Sequence, residues 1–133
     1  MKKAVVYDTS EKKGFLESYL KIMGAAYSLE EELRDWTELA EGEPVEGLYT
    51  ANIVLKKQEV EKLKNEALAV KMKILEATDL IEDKRIRNIL RRHYIHGQSI
   101  KKIAKVMYYS ERYVKRLHKK GVELIEIINL TTP

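Results

Sequence analysis

The sequence predicts an all-α protein, because apolar residues recur with a helical period along two long segments and turn residues are scarce. Alternating spacings of four and three place such residues along one side of a helix that packs against another helix. The 133 residues include six Gly and two Pro, and neither type occurs between Gly47 and Gly97. The chain is therefore expected to consist mainly of long helices.

The first apolar stripe predicts a helix over about residues 11–40, and the second stripe predicts another helix after it. Between them lies the segment EGEPVEG, where Gly42, Pro44 and Gly47 form the densest turn signal in the chain. Two antiparallel helices joined by a short loop are the simplest arrangement. Lys56 occupies a position of the second stripe at which an apolar residue is expected. The stripes consist of Phe15, Tyr19, Ile22, Ala26, Leu29, Leu33, Trp36 and Ala40, and then of Ile53, Val60, Leu63, Ala67, Val70, Ile74, Ala77 and Ile81.

Residues 1–81, which contain both stripes, are predicted to form a long, coiled-coil-like helical hairpin that serves for self-association. The second helix carries further large apolar residues on its other faces, which one partner helix does not cover. A second copy of the protein would cover them, so we expect a homo-oligomer, with a dimer favoured. An intramolecular bundle in a monomer is the alternative. The residues concerned are Leu55, Leu68, Met72 and Leu75.

Residues 82–133 are predicted to form a second, basic domain. Residues 82–121 contain thirteen Lys or Arg and three Asp or Glu, a net charge of +10, whereas the whole chain carries +4, which leaves −6 for the remainder. A basic region attached to an acidic body is typical of a nucleic-acid-binding protein with an assembly element. Thr78 or Asp79 is expected to cap the first helix of this domain, although a helix that continues through this point fits nearly as well.

Apolar spacing predicts three helices in the basic domain, the first of which ends before Gly97, a residue that accepts positive φ. Ser99 is expected to cap a second helix from Ile100 to Met107, in which the small Ala104 suits a steep crossing of two helices. Ser110 is expected to cap the third helix after the turn MYYS. The predicted buried residues of the third helix are Val114, Leu117, Gly121, Leu124, Ile125 and Ile128.

A short helix, a turn of three or four residues and a basic second helix form the helix-turn-helix layout, in which the second helix enters the major groove of DNA. From Gly97 to Lys115 the residues follow the pattern G-x-S-x-x-x-I-A-x-x-M-x-x-S-x-x-x-V-K. This pattern resembles that of sigma factor region 4 and related helix-turn-helix domains, which have Leu in place of Met107. The preceding IRNILRRHYIHG is similar to the helix that leads into that motif, so the resemblance covers residues 82–125.

The chain as a whole, with a helical hairpin before such a domain, resembles the ArpU-like transcriptional regulators of phages of Gram-positive bacteria. The resemblance implies a regulator that activates late phage genes. Tyr108 departs from the pattern, because Gly usually stands at that place in the turn. If the position requires positive φ, a tyrosine there is strained, and a rearranged turn is the alternative. A complete sigma factor would also need a region that binds the promoter −10 element, and the acidic first part does not supply one.

The exposed face of the third helix is expected to bind DNA, with a solvated cationic face as the alternative. Arg112 and Arg116, one turn apart, suit bidentate hydrogen bonds to guanine O6 and N7. Tyr113 is expected to face outward, toward a base edge, a thymine methyl group or a sugar. For Tyr108 and Tyr109, a contact with DNA and packing in the core around the turn fit the sequence equally well. Further contacts to phosphates are expected from Lys115, Lys119, Lys120, Lys101, Lys102, Lys105, Arg91 and Arg92, and Ser99 either caps its helix or holds a phosphate there.

The sequence offers no candidate catalytic site, and neither a cofactor nor enzymatic activity is expected. The chain has no Cys, which excludes thiol catalysis and thiolate metal sites. His93 and His96 are three residues apart, but no nearby acid or Cys completes a metal site. The first apolar run is four residues long, and no segment approaches the roughly 20 apolar residues of a membrane span. We therefore expect a cytoplasmic protein that is not associated with a membrane, and the resemblance to ArpU-like regulators implies a bacterial host cell.

These patterns favour a sequence-specific regulator of transcription that binds double-stranded DNA, and the resemblance implies a phage or prophage origin and action on late genes. Two other classes remain as alternatives. A DNA-recognition subunit of a phage packaging machine would form a ring of many copies. A protein-interaction module, whose basic helices contact RNA polymerase, would bind DNA weakly and without sequence preference.

Overall fold

The computed structural model of the protein describes residues 7–42 and 49–127. Within these ranges the chain forms five α-helices and no β-strand, which confirms the all-α prediction. None of these described helices combines the length and the apolar character needed to cross a membrane. The helices are α1 (Thr9–Glu41), α2 (Thr50–Asp79), α3 (Lys84–Tyr94), α4 (Ile100–Met107) and α5 (Glu111–Leu124).

One compact unit consists of residues 21–69, which belong to the second part of α1 and the first part of α2. Lys56, the polar residue on the second apolar stripe, donates to Glu32 Oε1 at 2.8 Å. Its Nζ also lies 5.8 Å from the ring centroid of Trp36, and that ring meets Tyr49 edge-on at 5.2 Å. The ammonium group therefore has a carboxylate and an aromatic ring as partners, which offsets the cost of placing it on this stripe. The buried apolar residues of this unit are Ala26, Val60 and Ala67.

A second compact unit contains the described residues up to Leu20 and from Val70 onward. The beginning of α1 and the end of α2 thus share a core with α3, α4 and α5. Leu16 of α1 and Ile74 of α2 are both fully buried in that core, together with Ile103 of α4. The sequence did not predict the position of Leu16, because it lies beside the apolar stripe of α1 and not on it.

Helix α3, which corresponds to the first predicted helix of the basic domain, begins later than the sequence predicted. Its N-cap is Asp83 and neither Thr78 nor Asp79, and the Asp83 carboxylate accepts a hydrogen bond from the backbone N–H of Arg85 at 2.9 Å. Thr78 is fully buried within α2, where its hydroxyl donates to the carbonyl of Leu75 at 2.9 Å. A threonine whose hydroxyl bonds back to its own helix can remain within that helix, so α2 continues to Asp79.

Both serine caps predicted for the basic region are confirmed, and α4 has its predicted bounds. The hydroxyl of Ser99 accepts from the backbone N–H of Lys102 at 3.1 Å, and that of Ser110 accepts from the N–H of Tyr113 at 3.1 Å. Each serine satisfies one of the N–H groups that a helix leaves unpaired at its N-terminal end. The cap at Ser110, together with the C-cap of α4 at Tyr108, bounds the turn between α4 and α5.

Tyr108 takes a left-handed conformation in that turn, with φ +60° and ψ +39°. The turn is therefore not rearranged, although a side chain replaces the usual Gly. The next N–H, that of Tyr109, donates to the carbonyl of Ala104 at 2.9 Å and closes the C-terminal end of α4. The Tyr108 side chain is 95% exposed, so it does not fill the core around the turn, whereas Tyr109 is half-buried against that core.

The buried face of α5 agrees with the prediction at most positions. Leu124 was expected to be buried, and this is wrong, because its side chain is 48% exposed. At 3.6 residues per turn Leu124 lies about 70° to one side of the line through Val114 and Gly121, and the buried Val122 lies about 90° to the other side, so the buried face of α5 is turned away from Leu124. The predicted Ile128 lies outside the described residues. The correctly predicted buried positions are Val114, Leu117, Gly121 and Ile125.

Candidate nucleic-acid interface

Five cations project from the exposed side of α5. At 3.6 residues per turn they fall within an arc of about 140° opposite the buried face that contains Val114 and Leu117. Among the described residues none of the five forms an ion pair with an acidic side chain. One acid, Glu123, shares this side of the helix in its last turn. The five cations are Arg112, Lys115, Arg116, Lys119 and Lys120, all of them exposed as predicted.

Tyr113 is half-buried and does not face outward as the sequence suggested. Its hydroxyl accepts a hydrogen bond from Arg85 Nη1 at 2.5 Å, which joins α5 to α3. Its ring meets Tyr109 edge-on, with centroids 4.9 Å apart, and the guanidinium carbon of Arg116 lies 5.2 Å from its centroid. The ring of Tyr113 thus packs against one side of Arg116, and contacts with Arg85 and Tyr109 hold that ring in place.

Arg85 is bound to the cap of α3 and does not contribute an unpaired cation to the surface. Its Nε and Nη2 donate to the two carboxylate oxygens of Asp83, at 3.2 and 2.8 Å. These hydrogen bonds from Arg85 lower the pKa of Asp83 to about 2 and raise the pKa of Arg85 itself. The carboxylate holds the guanidinium in place, and the guanidinium holds the Tyr113 hydroxyl.

Lys101, Lys102 and Lys105 are exposed on α4 and add positive charge to the region before the turn. Ser99, which precedes them, uses its hydroxyl oxygen as the N-cap acceptor of α4. The capping role expected for Ser99 is therefore confirmed. Its proposed role in holding a phosphate stays a prediction, as do the phosphate contacts of the three lysines.

Arg91 and Arg92, which the sequence suggested as phosphate contacts, both have partners within the protein. Arg91 Nε donates to the Thr78 hydroxyl at 2.9 Å, and its Nη2 pairs with the Asp79 carboxylate. Arg92 Nη1 donates to the side-chain oxygen of Gln98 at 3.3 Å. Arg91 therefore ties α3 to the end of α2, where backbone carbonyls lack helical partners. The cationic surface is smaller than the charge count predicts.

A cluster of aromatic side chains lies between α3 and α5. The Tyr94 hydroxyl and His118 Nε2 are 2.6 Å apart, and the His93 ring lies 4.7 Å from Tyr94 and 5.2 Å from His118. Burial, with a smaller effect of His93, lowers the pKa of His118 to about 4, and burial raises the pKa of Tyr94 to about 12. Both groups are thus uncharged at neutral pH. One feature of the sequence indicated this cluster. His118 lies one helical turn after Val114 and therefore on the side of α5 that faces the core.

The histidines do not assemble with other ligands. In the part of the chain that the structure describes, no group of three or more His, Asp or Glu side chains is arranged to hold a metal ion. The residues brought together are instead Asp83, Arg85, Tyr113 and Arg116, which connect the cap of α3 to the exposed face of α5. The sequence pattern does not predict this connection, because its residues lie up to 33 positions apart in the chain.

No protein-family model, curated protein or solved structure matches this chain. The chemistry of the α5 face and the pattern of the sequence are therefore the basis for a functional proposal. That face combines two arginines, which can form planar, paired hydrogen bonds, with three lysines, which act as point charges. Phosphates and base edges of a nucleic acid are ligands that such a set can bind together.

Proposed function

We propose that this protein is a sequence-specific regulator of transcription that binds double-stranded DNA, with α4, the turn at Tyr108 and α5 as its helix-turn-helix. The observation that carries the proposal is the set of five exposed cations on α5, opposite the face that packs into the core. A helix of this kind can enter the major groove without disturbing the core. The resemblance of residues 97–115 to sigma factor region 4 supports α5 as the recognition helix.

Arg116 is the residue that we assign to base recognition. Its guanidinium can donate two hydrogen bonds to guanine O6 and N7, and the ring of Tyr113 limits its freedom before DNA binds. Arg112, one turn earlier, is the second candidate for a base contact. Lys115 and Lys119 neutralise phosphates on the two sides of the groove. In this arrangement Tyr113 contributes to DNA binding by positioning the guanidinium of Arg116.

Residues 1–81 act, in this proposal, as a helical hairpin that brings copies of the protein together. Two ion pairs support the hairpin, Lys56 with Glu32 and Lys64 with Glu30, because the later residue of α2 pairs with the earlier residue of α1. In a dimer the two recognition helices would address half-sites about 34 Å apart, or a multiple of that distance. The resemblance to ArpU-like regulators supports action on late genes of a phage or prophage in a bacterial cell, with RNA polymerase as a second partner.

Selection of bound duplexes from a random DNA pool tests the proposal. We expect the wild-type protein to recover a defined motif and an Arg112/Arg116/Lys119 triple-alanine variant to recover none. The matched control is a Lys21/Arg34/Lys57 triple-alanine variant, which removes the same charge from exposed positions of residues 21–69. It should recover the wild-type motif. Recovery of no motif by the wild-type protein would contradict the proposal, and so would an equal loss in the control.

A further inference from the structure

The N-cap of α3 and the exposed face of α5 are joined by a chain of side-chain contacts. The carboxylate of Asp83 accepts two hydrogen bonds from the guanidinium of Arg85, from Nε to Oδ1 at 3.2 Å and from Nη2 to Oδ2 at 2.8 Å. The third guanidinium nitrogen, Nη1, donates to the hydroxyl of Tyr113 at 2.5 Å. Arg116 lies against the ring of that tyrosine. Asp83 is therefore linked to a residue of α5 that is 33 positions away in the chain.

The paired hydrogen bonds fix the orientation of the Arg85 guanidinium as well as its distance from the carboxylate. A guanidinium is planar, so two parallel hydrogen bonds to one carboxylate also set the direction in which the remaining nitrogen points. The Arg85 side chain is 50% exposed, and a single hydrogen bond would leave such a side chain free to move. Paired geometry is the case in which a surface ion pair contributes measurably. Nη1 is thus held in the direction of the Tyr113 hydroxyl by Asp83.

Asp83 also balances a positive charge close to Arg116. Tyr113 has two guanidinium groups as neighbours, that of Arg85 at its hydroxyl and that of Arg116 beside its ring. Two like charges on one side chain repel each other, which favours rotamers that turn Arg116 away from the ring. Within the described residues, Asp83 is the acid that pairs with Arg85. Its carboxylate therefore reduces this repulsion while it orients Arg85.

We propose that Asp83 is a positioning residue for sequence recognition, which acts on Arg116 through Arg85 and Tyr113. The inference rests on the proposed function, in which Arg116 binds a guanine. Asp83 orients Arg85, Arg85 holds the ring of Tyr113, and that ring restricts the guanidinium of Arg116. Arg116 then loses less rotamer freedom when it meets a base edge, and a fixed direction favours guanine over the other bases. The N-cap of α3 thus has a second role besides capping its helix.

Asp83→Asn separates this role from capping, because Asn caps a helix as well as Asp but its amide nitrogen cannot accept from Arg85 Nη2. The loss of one negative charge should raise affinity for every duplex alike. The positioning role predicts, in addition, that the ratio of affinities for the selected duplex and for a duplex changed at the guanine that Arg116 binds falls about two- to threefold. Glu82→Gln, at the exposed position before Asp83, is the matched control. It removes the same charge and leaves the pair intact, so its ratio should equal that of the wild-type protein.

Two further measurements show whether the effect passes through Arg116. In an Arg116→Ala background, Asp83→Asn should not change the ratio further, because the side chain that it positions is gone. In the free protein, NMR relaxation of the Arg116 Nε–H group should give a lower order parameter in Asp83→Asn than in the wild-type protein, which reports faster and wider motion of the guanidinium. Glu82→Gln should leave this order parameter unchanged. A role of Asp83 in helix capping alone would alter neither measurement.

A lower affinity ratio together with a more mobile Arg116 in Asp83→Asn, and neither change in Glu82→Gln, would establish the positioning role. An unchanged order parameter of Arg116 would overturn it, whatever the result of the DNA selection. An unchanged ratio in a protein that selects a motif, or an equal loss in the Arg116→Ala background, would overturn it as well. Recovery of no motif by the wild-type protein would overturn the proposed function and the part of the inference that concerns bases, whereas the NMR comparison would still decide whether Asp83 holds Arg116.

Discussion

The guanidinium carbon of Arg116 lies 5.2 Å from the ring centroid of Tyr113. That ring is itself fixed, because its hydroxyl accepts a hydrogen bond from Arg85, and Arg85 is bound to the carboxylate of Asp83. A flexible side chain on the exposed face of α5 is thus held before it meets a ligand. Since less rotamer freedom remains to be lost on binding, this contact favours a directional role for Arg116 over a purely electrostatic one.

Replacing the Tyr113 ring should therefore affect recognition of one sequence more than binding to DNA in general. We expect Tyr113→Leu to lower affinity for the selected duplex by roughly two- to fivefold, which corresponds to a cation–π contact of about 0.5–1 kcal/mol. Affinity for an unrelated duplex should stay unchanged, and Tyr113→Phe, which keeps the ring but loses the hydrogen bond to Arg85, should lie between Tyr113→Leu and the wild-type protein. Competition binding with both duplexes measures this difference. Equal losses on both duplexes in Tyr113→Leu would show that the ring does not act through Arg116.

Tyr108 should be replaceable by glycine with a gain in stability. The left-handed conformation costs a non-glycine residue about 1–2 kcal/mol, and the greater entropy of glycine in the unfolded chain offsets about 0.5–1 kcal/mol of the relief. Because the side chain is almost fully exposed, Tyr108→Gly should raise the free energy of unfolding by about 0.5–1 kcal/mol, measured by denaturant titration.

The control for this prediction is Gly97→Ala, at the other position with positive φ among the described residues. A Cβ there would meet only Leu20, at 3.8 Å, so the cost is conformational, and stability should fall by about 1 kcal/mol. If Tyr108→Gly destabilised the protein, the tyrosine side chain would have to make a stabilising contact that its exposure does not indicate.

Gly121 should tolerate no side chain, because α5 passes close to α3 at this residue. A Cβ there would lie 2.7 Å from Ile86 Cγ2 and 3.0 Å from Leu90 Cδ1, both fully buried. We expect Gly121→Ala to lower the free energy of unfolding by about 1–3 kcal/mol. Gly24→Ala, in α1 with nothing within 4 Å of the added Cβ, should raise it by about 0.5–1 kcal/mol. Wild-type stability of Gly121→Ala in the same titration would contradict the packing of α3 against α5.

Acidification should weaken the fold through His118. The pKa of this residue is about 4 in the folded protein and near 6.5 when unperturbed, so between these values the unfolded chain binds a proton that the folded chain does not. Stability from the neutral imidazole is complete above pH 6.5 and is lost as the pH falls toward 4. The melting temperature should therefore fall in this range, and it should fall less in His118→Gln. His96→Gln, at an exposed position, should keep the wild-type pH dependence. A pH dependence unchanged in His118→Gln would assign the effect to other groups.

The helices on either side of the turn were predictable because each has a complete local signal. Ser99 and Ser110 precede apolar positions at helical spacing, and the structure places both as N-caps. The end of α2 was not predictable to the same degree. Thr78 is a common capping residue, but tertiary packing buries it, and its hydroxyl bonds with Arg91 and with its own helix. Local preference was overridden by contacts between helices.

The contribution of α1 to the core of the basic region had no local signal at all. Leu16 is fully buried there, and Lys12 donates to the carbonyl of Glu123, a residue 111 positions away in the chain. The period of an apolar stripe shows that a helix has a buried side, but not which distant helix covers it. For the same reason Tyr113 was expected to face outward, whereas its hydrogen bond with Arg85 depends on how α3 packs against α5.

The central claim is tested most directly by measuring how tightly Arg116→Ala and Lys119→Ala bind the selected duplex and single-base variants of it. Each affinity is followed over a range of salt concentrations. We expect Arg116→Ala to lose about 1–3 kcal/mol of discrimination at one base pair. Lys119→Ala should weaken binding to every sequence alike and reduce the salt slope by about one unit. Equal effects of both substitutions on all sequences would contradict the assignment of α5 as a sequence-recognising helix.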